Sequence, residues 1–223
     1  MKNVIKLLQA YAQTKGIDVQ LAFTEMLDFF ITTFSPELFL KFKGNLVLLF
    51  ENRRKTNPSL FEALIIWVES AQERIAEDGT CDFFGDLYEM MFLGKTKASA
   101  MGQFFTPLPL CQAIASVLKE DNNDITVGEP SCGSGRNVLA HWQLTDKLKM
   151  PIYRCEDLDP TSVKMCALNM MINGLIGTVI CHDSLDPGSY HFGFAINEVR
   201  HPLPSPYYSI RPIAKNEYSQ KLK

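Results

Sequence analysis

Glu129-Pro-Ser-Cys-Gly-Ser-Gly135 lies between a short β-rich run, Ile125–Glu129, and helix-forming sequence near Arg136–Leu148. A glycine-bearing turn that joins a strand to a helix is the opening unit of a β-α-β fold. Gly133 and Gly135 carry no Cβ, so the chain turns tightly there and a ligand can approach its backbone. The wording is not Gly-x-Gly-x-x-Gly, and no Gly-Lys-Ser/Thr follows, which disfavours a nucleoside triphosphate. Glu129, the acid that opens the loop, suits a ligand with a positive group.

The pattern continues downstream. Pro151–Asp157, Gly177–Asp183 and Phe192–Asn197 read as three further strands, with helices near Leu108–Lys119 and Pro160–Asn173. Strands alternating with helices predict a parallel sheet across residues 98–200. Upstream, residues 1–97 read as helical throughout. Val4, Ile5, Leu8 and Tyr11 recur at helical spacing before Gly16, and Leu60, Leu64, Trp67, Val68, Ala71 and Ile75 form the clearest amphipathic stripe. Residues 201–223 form a tail with prolines at 202, 204, 206 and 212, which leaves little room for regular sheet. The predicted organisation is a helical N-terminal domain, an α/β core and a proline-rich tail.

Composition narrows the function classes. The chain has 223 residues, 46% of them hydrophobic, enough for a core and inconsistent with disorder. A net charge of −3 argues against a broad basic surface for nucleic acid. A local strip remains, with Lys41, Lys43, Arg53, Arg54 and Lys55 in the helical half and Lys95 and Lys97 in the linker before Gly102. Such residues can touch phosphates, although a charge run is first a solvated surface. The longest apolar run, Ala63–Val68, is six residues, against roughly 20 for a membrane span. The N-terminus turns polar before any signal-peptide stretch forms. Cysteines 81, 111, 132, 155, 166 and 181 include no Cys-x-x-Cys pair, so reduced thiols in a cytoplasmic protein without a zinc site are expected.

Ligands of open α/β sheets sit beyond the carboxyl ends of the strands, and three acids fall there. Glu129 ends the first strand. Asp157 ends the second, about 20 residues past the glycine loop, where a carboxylate accepts ribose hydroxyls. Glu156 and Asp159 are alternatives, and Asp159 is equally suited to cap the helix that opens at Pro160. Asp183 ends the third strand, where it can accept a hydrogen bond from an adenine amino group. Each acid alone is more often a cap or a solvated loop residue; three on successive strand ends are a pattern.

Gly102-Gln-Phe-Phe-Thr-Pro107, followed after about 20 residues by Glu-Pro-Ser-Cys-Gly-Ser-Gly, resembles the adenine-specific DNA methyltransferases that serve as modification subunits of type I restriction systems. Their usual wording is Gly-Gln-Phe-Tyr-Thr-Pro and Asp-Pro-Ala-Cys-Gly-Ser-Gly. Asp82-Phe-Phe-Gly-Asp-Leu-Tyr-Glu89 resembles the lead-in helix of that family. The resemblance implies a Rossmann-like sheet and S-adenosylmethionine as cofactor. It places Gln103, Phe105 and Thr106 beside the methionine end of the cofactor. Glu129, Cys132, Gly133 and Gly135 would form the main loop, with Asp157 at the ribose and Asp183 at the adenine. Read without the family, Phe104 and Phe105 are core residues beside a helix that Thr106 caps and Pro107 starts.

The family's catalytic Asn-Pro-Pro-Tyr/Phe motif follows the fourth strand. It holds the target amine and stacks an aromatic ring on an adenine flipped out of the duplex. Here the fourth strand runs into Asn197-Glu-Val-Arg200, without the prolines and the aromatic; Ser205-Pro-Tyr-Tyr208 is a second, partial candidate. Asn197 is the expected catalytic position if that loop is competent. The alternative is an inactive module that keeps the fold and serves as a DNA-associated or regulatory binding protein. The family's sheet has seven strands, so this one is expected to be incomplete. Its fourth strand would be an open edge that a homodimer or a partner subunit covers.

Overall fold

The computed structural model describes residues 1–93, 105–118, 126–146, 149–198 and 208–221. The helical half comprises α1 (Lys2–Lys15), α2 (Val19–Thr33), α3 (Pro36–Lys41), α4 (Leu46–Thr56), α5 (Pro58–Asp78) and α6 (Phe83–Phe92). Local chemistry sets these ends. Asp18 and Asn57 accept from the third amides of α2 and α5, and Pro58 opens α5. Gly16 and Gly79 close α1 and α5 in the left-handed region. α5 turns Leu60, Leu64, Trp67 and Ala71 inward, and Trp67 stacks on Phe30 with ring centroids 5.2 Å apart.

The second half runs α7 (Leu108–Val117), β1 (Thr126–Glu129), α8 (Arg136–Leu144), β2 (Ile152–Asp157), α9 (Pro160–Ile172), β3 (Ile176–Cys181), β4 (Phe192–Ile196), β5 (Ile210–Ile213) and α10 (Lys215–Lys221). One sheet joins the strands in the order β1-β2-β3-β4-β5. α9 is buried on nearly every side, which requires packing all round. It touches β2, β3 and β4 on one side and α2, α5 and α6 on the other. The helical half and the sheet therefore share one hydrophobic core, with α9 at its centre.

The sheet departs from the expected parallel arrangement. β1, β2 and β3 are parallel, but β4 pairs antiparallel with β3, and β5 antiparallel with β4. The reason is the connection. A parallel return needs a crossover of about a dozen residues or more, usually a helix. Residues 182–191 hold only one 3-10 turn, Pro187–Ser189, so the chain folds straight back. The tail also contributes more than expected, with β5 and α10 in it. Pro212 is tolerated because β5 is an edge strand. The helix expected to be capped by Thr106 begins one residue later, with Pro107 as its cap residue.

The basic strip is revised as well. Arg53 turns inward: Nη2 donates to Phe29 O at 2.7 Å, Nε to Thr33 Oγ1 at 2.9 Å, and the guanidinium lies 3.7 Å from the centre of the Phe29 ring. It ties α4 to the end of α2 and is not a surface charge. Lys41, Lys43, Arg54 and Lys55 are exposed; Lys95 and Lys97 lie outside the described residues.

All six cysteines are buried and unpaired. Burial pushes the thiols of Cys81 and Cys181 up to about 11. Thiol reagent at pH 8 should therefore titrate none of the six in the native protein and all six in denaturant. Because the unfolded thiols ionise first as pH rises, stability should fall between about pH 9 and 11, read as a declining urea midpoint.

Candidate functional site

The carboxyl ends of β1, β2 and β3 share one edge, and their loops are bonded to one another. Cys132 N donates to Glu156 O at 2.8 Å, His182 N to Asp157 O at 3.1 Å, and Ser184 Oγ to Pro130 O at 2.6 Å. The loop after β1 closes on itself through Gly135 N to Cys132 O at 2.8 Å. Gly133 and Gly135 both adopt positive φ, 53° and 93°. A Cβ at Gly135 would stand 3.1 Å from Cys166 Sγ, and one at Gly133 would press on the Phe105 ring at 3.2 Å. The glycines are thus required by backbone conformation and by close approach together.

The neighbouring acids take separate positions. Asp157 Oδ2 accepts from Gly133 N at 2.8 Å and Oδ1 from Asp159 N at 2.9 Å. Asp159 caps α9, accepting from Ser162 N and Ser162 Oγ, both at 2.9 Å. Glu156 turns away toward His182, with Oε2 3.1 Å from Nε2 in a geometry not aligned for a hydrogen bond. Tyr218 OH lies 3.3 Å from the other nitrogen of that buried imidazole. Glu129 accepts from Ser131 N at 3.2 Å and from Asn137 Nδ2 at 3.0 Å. Asp183 Oδ1 accepts from Leu185 N at 2.9 Å. Leu158 and Leu185, one residue past Asp157 and two past Asp183, are 64% and 94% exposed.

Beneath the loop is a buried polar cluster that sequence reasoning did not assemble. Asp82, the cap of α6, accepts from Gly85 N at 3.0 Å, Asn169 Nδ2 and Arg136 Nε at 2.7 Å each, and Ser134 Oγ at 2.9 Å. Arg136 reaches on to Asp86 at 3.2 Å, Glu89 at 3.2 Å and Thr106 O at 3.4 Å. Burial pushes the Asp82 carboxyl up, opposed by the guanidinium beside it. Burial alone would lower Arg136, but Asp82 and Glu89 outweigh it and hold the guanidinium charged. The available signal was Asn169, a lone amide in an otherwise apolar helix run.

Phe105, Thr106, Glu129, Cys132, Gly133, Gly135, Asp157 and Asp183 all lie on or beside the loop edge; Gln103 lies outside the described residues. Asn197 does not reach it. Because β4 is antiparallel, Ile196 pairs with Gly177 at the start of β3, the opposite edge of the sheet. The Asn197 side chain is buried, donating to Met171 O at 3.1 Å and Leu175 O at 2.8 Å and accepting from Ser209 N at 3.1 Å. Its amide closes the end of α9 against β5. Ser205–Tyr207 lie outside the described residues, and Tyr208 is half-buried against the core.

A mixed sheet whose glycine loop and strand-end acids share one edge defines an α/β protein with its candidate site at that edge. The family model for the N-6 DNA methylases matches residues 79–190, half of the chain, and the chain belongs to that family. It is also 30% identical, over 110 residues, to the methylase subunit of the type I restriction enzyme MjaIX of Methanocaldococcus jannaschii. That match covers 46% of this chain and 19% of the relative, so the chain spans about a fifth of the relative's length. No solved structure matches it. Among the described residues, no helix is long and apolar enough to cross a membrane, and no group of three or more His, Cys, Asp or Glu side chains is placed to hold a metal ion.

Arg136→Met would leave Asp82 charged and buried without its partner, a loss of about 3–5 kcal/mol in chemical denaturation. Adding Asp82→Asn to that variant should recover part of it, since the unpaired charge is then gone.

Proposed function

We propose that this chain is an S-adenosylmethionine-binding module of the N-6 DNA methylase family, with a Rossmann-like half-sheet of β1 to β3 as its cofactor platform. The observation that carries this reading is the bond from Gly133 N to Asp157 Oδ2, which sets the glycine loop and the second-strand acid side by side. The residues present fit the cofactor. Each oxygen of Asp157 accepts one backbone amide and keeps a lone pair for a ribose hydroxyl. Asp183 offers an acceptor for the adenine amine, and Leu158 and Leu185 supply exposed apolar surface for the ring. Gly133 leaves its backbone open to the methionine end, with Glu129 nearby to face the amino group. Phe105 and Thr106 flank that end, and Gln103 is assigned there by the family motif. Cys132 and Gly135 shape the loop from within.

When bound, S-adenosylmethionine supplies an electrophilic sulfonium methyl group. The chain's own task is to bind and orient it: Asp157 and Asp183 fix the nucleoside, and the loop fixes the amino-acid end. DNA, with the exocyclic amine of adenine as acceptor, is the substrate class that the family supplies, in a cytoplasmic assembly of restriction-modification type. The position of Asn197 favours the second reading of the sequence, a catalytically inactive module that keeps the fold and serves as a DNA-associated or regulatory binding protein.

Calorimetric titration with S-adenosylmethionine tests this directly. The wild type should bind, and Asp157→Ala should lose about 1.5–3 kcal/mol, roughly 10- to 150-fold in affinity. Asp183→Ala should show a smaller loss. A folded wild type that takes up no cofactor would overturn the assignment.

A further inference from the structure

The two faces of the sheet are built differently. Tyr153, Cys155, Val179 and Phe194 turn toward α9 and the shared core. The alternate residues of the same strands turn the other way. Pairing sets them in two rows: Glu156, Ile180, Gly193 and Ile213 in one, and Gly128, Arg154, Thr178 and Ala195 in the next. α10 lies over the β4–β5 end of that face, where Tyr218 packs with Ile180, Ala195 and Ile213. Beside Tyr218 is a cavity of about 360 Å³, lined among others by Ile152, Arg154, Glu156, Thr178 and Ile180. That volume falls at the lower end of the roughly 300–1,000 Å³ of small-molecule pockets.

The charged groups of this cavity have capacity to spare. Arg154 and Glu156 stand two residues apart on one face of β2, about 7 Å along the strand. They do not pair with each other, and among the described residues Arg154 makes no ion pair at all. Glu156 Oε2 lies 3.1 Å from His182 Nε2 without a hydrogen bond, and that nitrogen is buried and unpartnered on a side chain only 2% exposed. The carboxylate therefore keeps its acceptor capacity for a donor that enters the cavity. Thr178, next to Arg154 in its row, offers a hydroxyl, and Ile152 and Ile180 supply apolar wall. An anion alone would meet the like charge of Glu156, and a cation alone that of Arg154. A ligand with both charges on one small centre and an aliphatic chain beside them answers the whole set.

We infer that the face of the sheet away from α9 holds a second small-molecule site, beside α10, for a free α-amino acid with an aliphatic side chain. Arg154 and Thr178 take the carboxylate, Glu156 takes the ammonium group, and Ile152 and Ile180 pack on the side chain. The site is separate from the loop edge, because consecutive residues of a strand, here Glu156 and Asp157, leave it on opposite faces. It goes beyond the cofactor reading and does not depend on it.

Calorimetric titration of the chain with L-leucine and with L-valine should show binding in the millimolar range or tighter, as befits ligands of so few atoms. N-acetyl-leucine, which lacks the ammonium group, and leucinamide, which lacks the carboxylate, should each bind about tenfold more weakly or worse. Arg154→Met, at an exposed position, should weaken leucine binding about tenfold or more and leave the melting temperature and S-adenosylmethionine affinity unchanged. Absence of binding at concentrations about tenfold above the millimolar range, or binding undiminished by Arg154→Met, would overturn the inference. So would leucine that S-adenosylmethionine displaces and Asp157→Ala abolishes, since the amino acid would then sit in the cofactor's own site. A chain that binds leucine in this pattern but takes up no S-adenosylmethionine would support the second site and strike the cofactor reading alone.

Discussion

The pairing of Asp82 with Arg136 constrains most of what surrounds the site. Two charges withdrawn from water are tolerated only when their hydrogen-bonding capacity is filled. Asp82 therefore gathers donors from α6, from Ser134 in the loop, from the first residue of α8 and from Asn169 in α9. No one of these elements can shift without stranding a buried charge. Arg136 extends the constraint to Asp86 and Glu89 on α6 and to the carbonyl of Thr106. Asn169 returns a second bond to Ser134 O at 2.9 Å, and Asn173, one turn on, exchanges bonds with both backbone groups of Cys81. The helical half is thus keyed by polar contacts to the segment that forms the glycine loop, and apolar packing around α9 adds mass to a position already defined.

Given that anchor, environment divides the work among four acids close in sequence or space. Asp82 and Asp159 spend their oxygens on the protein, one as a buried hub and one as a helix cap. Glu156 faces an imidazole. Asp157 is left at the loop edge, holding two amides and facing outward. Chemical identity does not distinguish Asp157 from Asp159; the strand does. β2 ends at Asp157, and the chain has turned into the cap of α9 two residues later.

Much of this was legible. The β-rich runs placed four strands to within a residue or two, and the glycine motif placed the loop. The acids at three strand ends fell on one edge because strand polarity alone decides that for parallel neighbours. Other features resisted for physical reasons. Arg53 reads as a surface charge until the end of α2 is known to present Phe29 O and two threonine hydroxyls to it. Arg136 and Asp82 are separated by more than 50 residues, and nothing local to either announces the other. The direction of β4 was readable in principle, since residues 182–191 contain no crossover helix. Periodicity marks a strand without giving its direction, so the length of the connection had to be weighed as well.

That connection also decides what the site can do. Had ten residues sufficed for a right-handed crossover, the end of β4 would lie at the same end of the sheet as Gly133 and Asp157, and Asn197 with it. Folding back instead places Asn197 at the start of β3, where its amide has a different use: three bonds that fasten the end of α9 to Ser209, the residue before β5. A residue so committed, at a φ of 52° and buried, cannot turn toward an acceptor without releasing those backbone groups unpaired. The loop edge and the Asn197 position are therefore built independently. The glycine loop and the acids Asp157 and Asp183 rest on β1 to β3 and on the Asp82 hub, and none of them depends on β4.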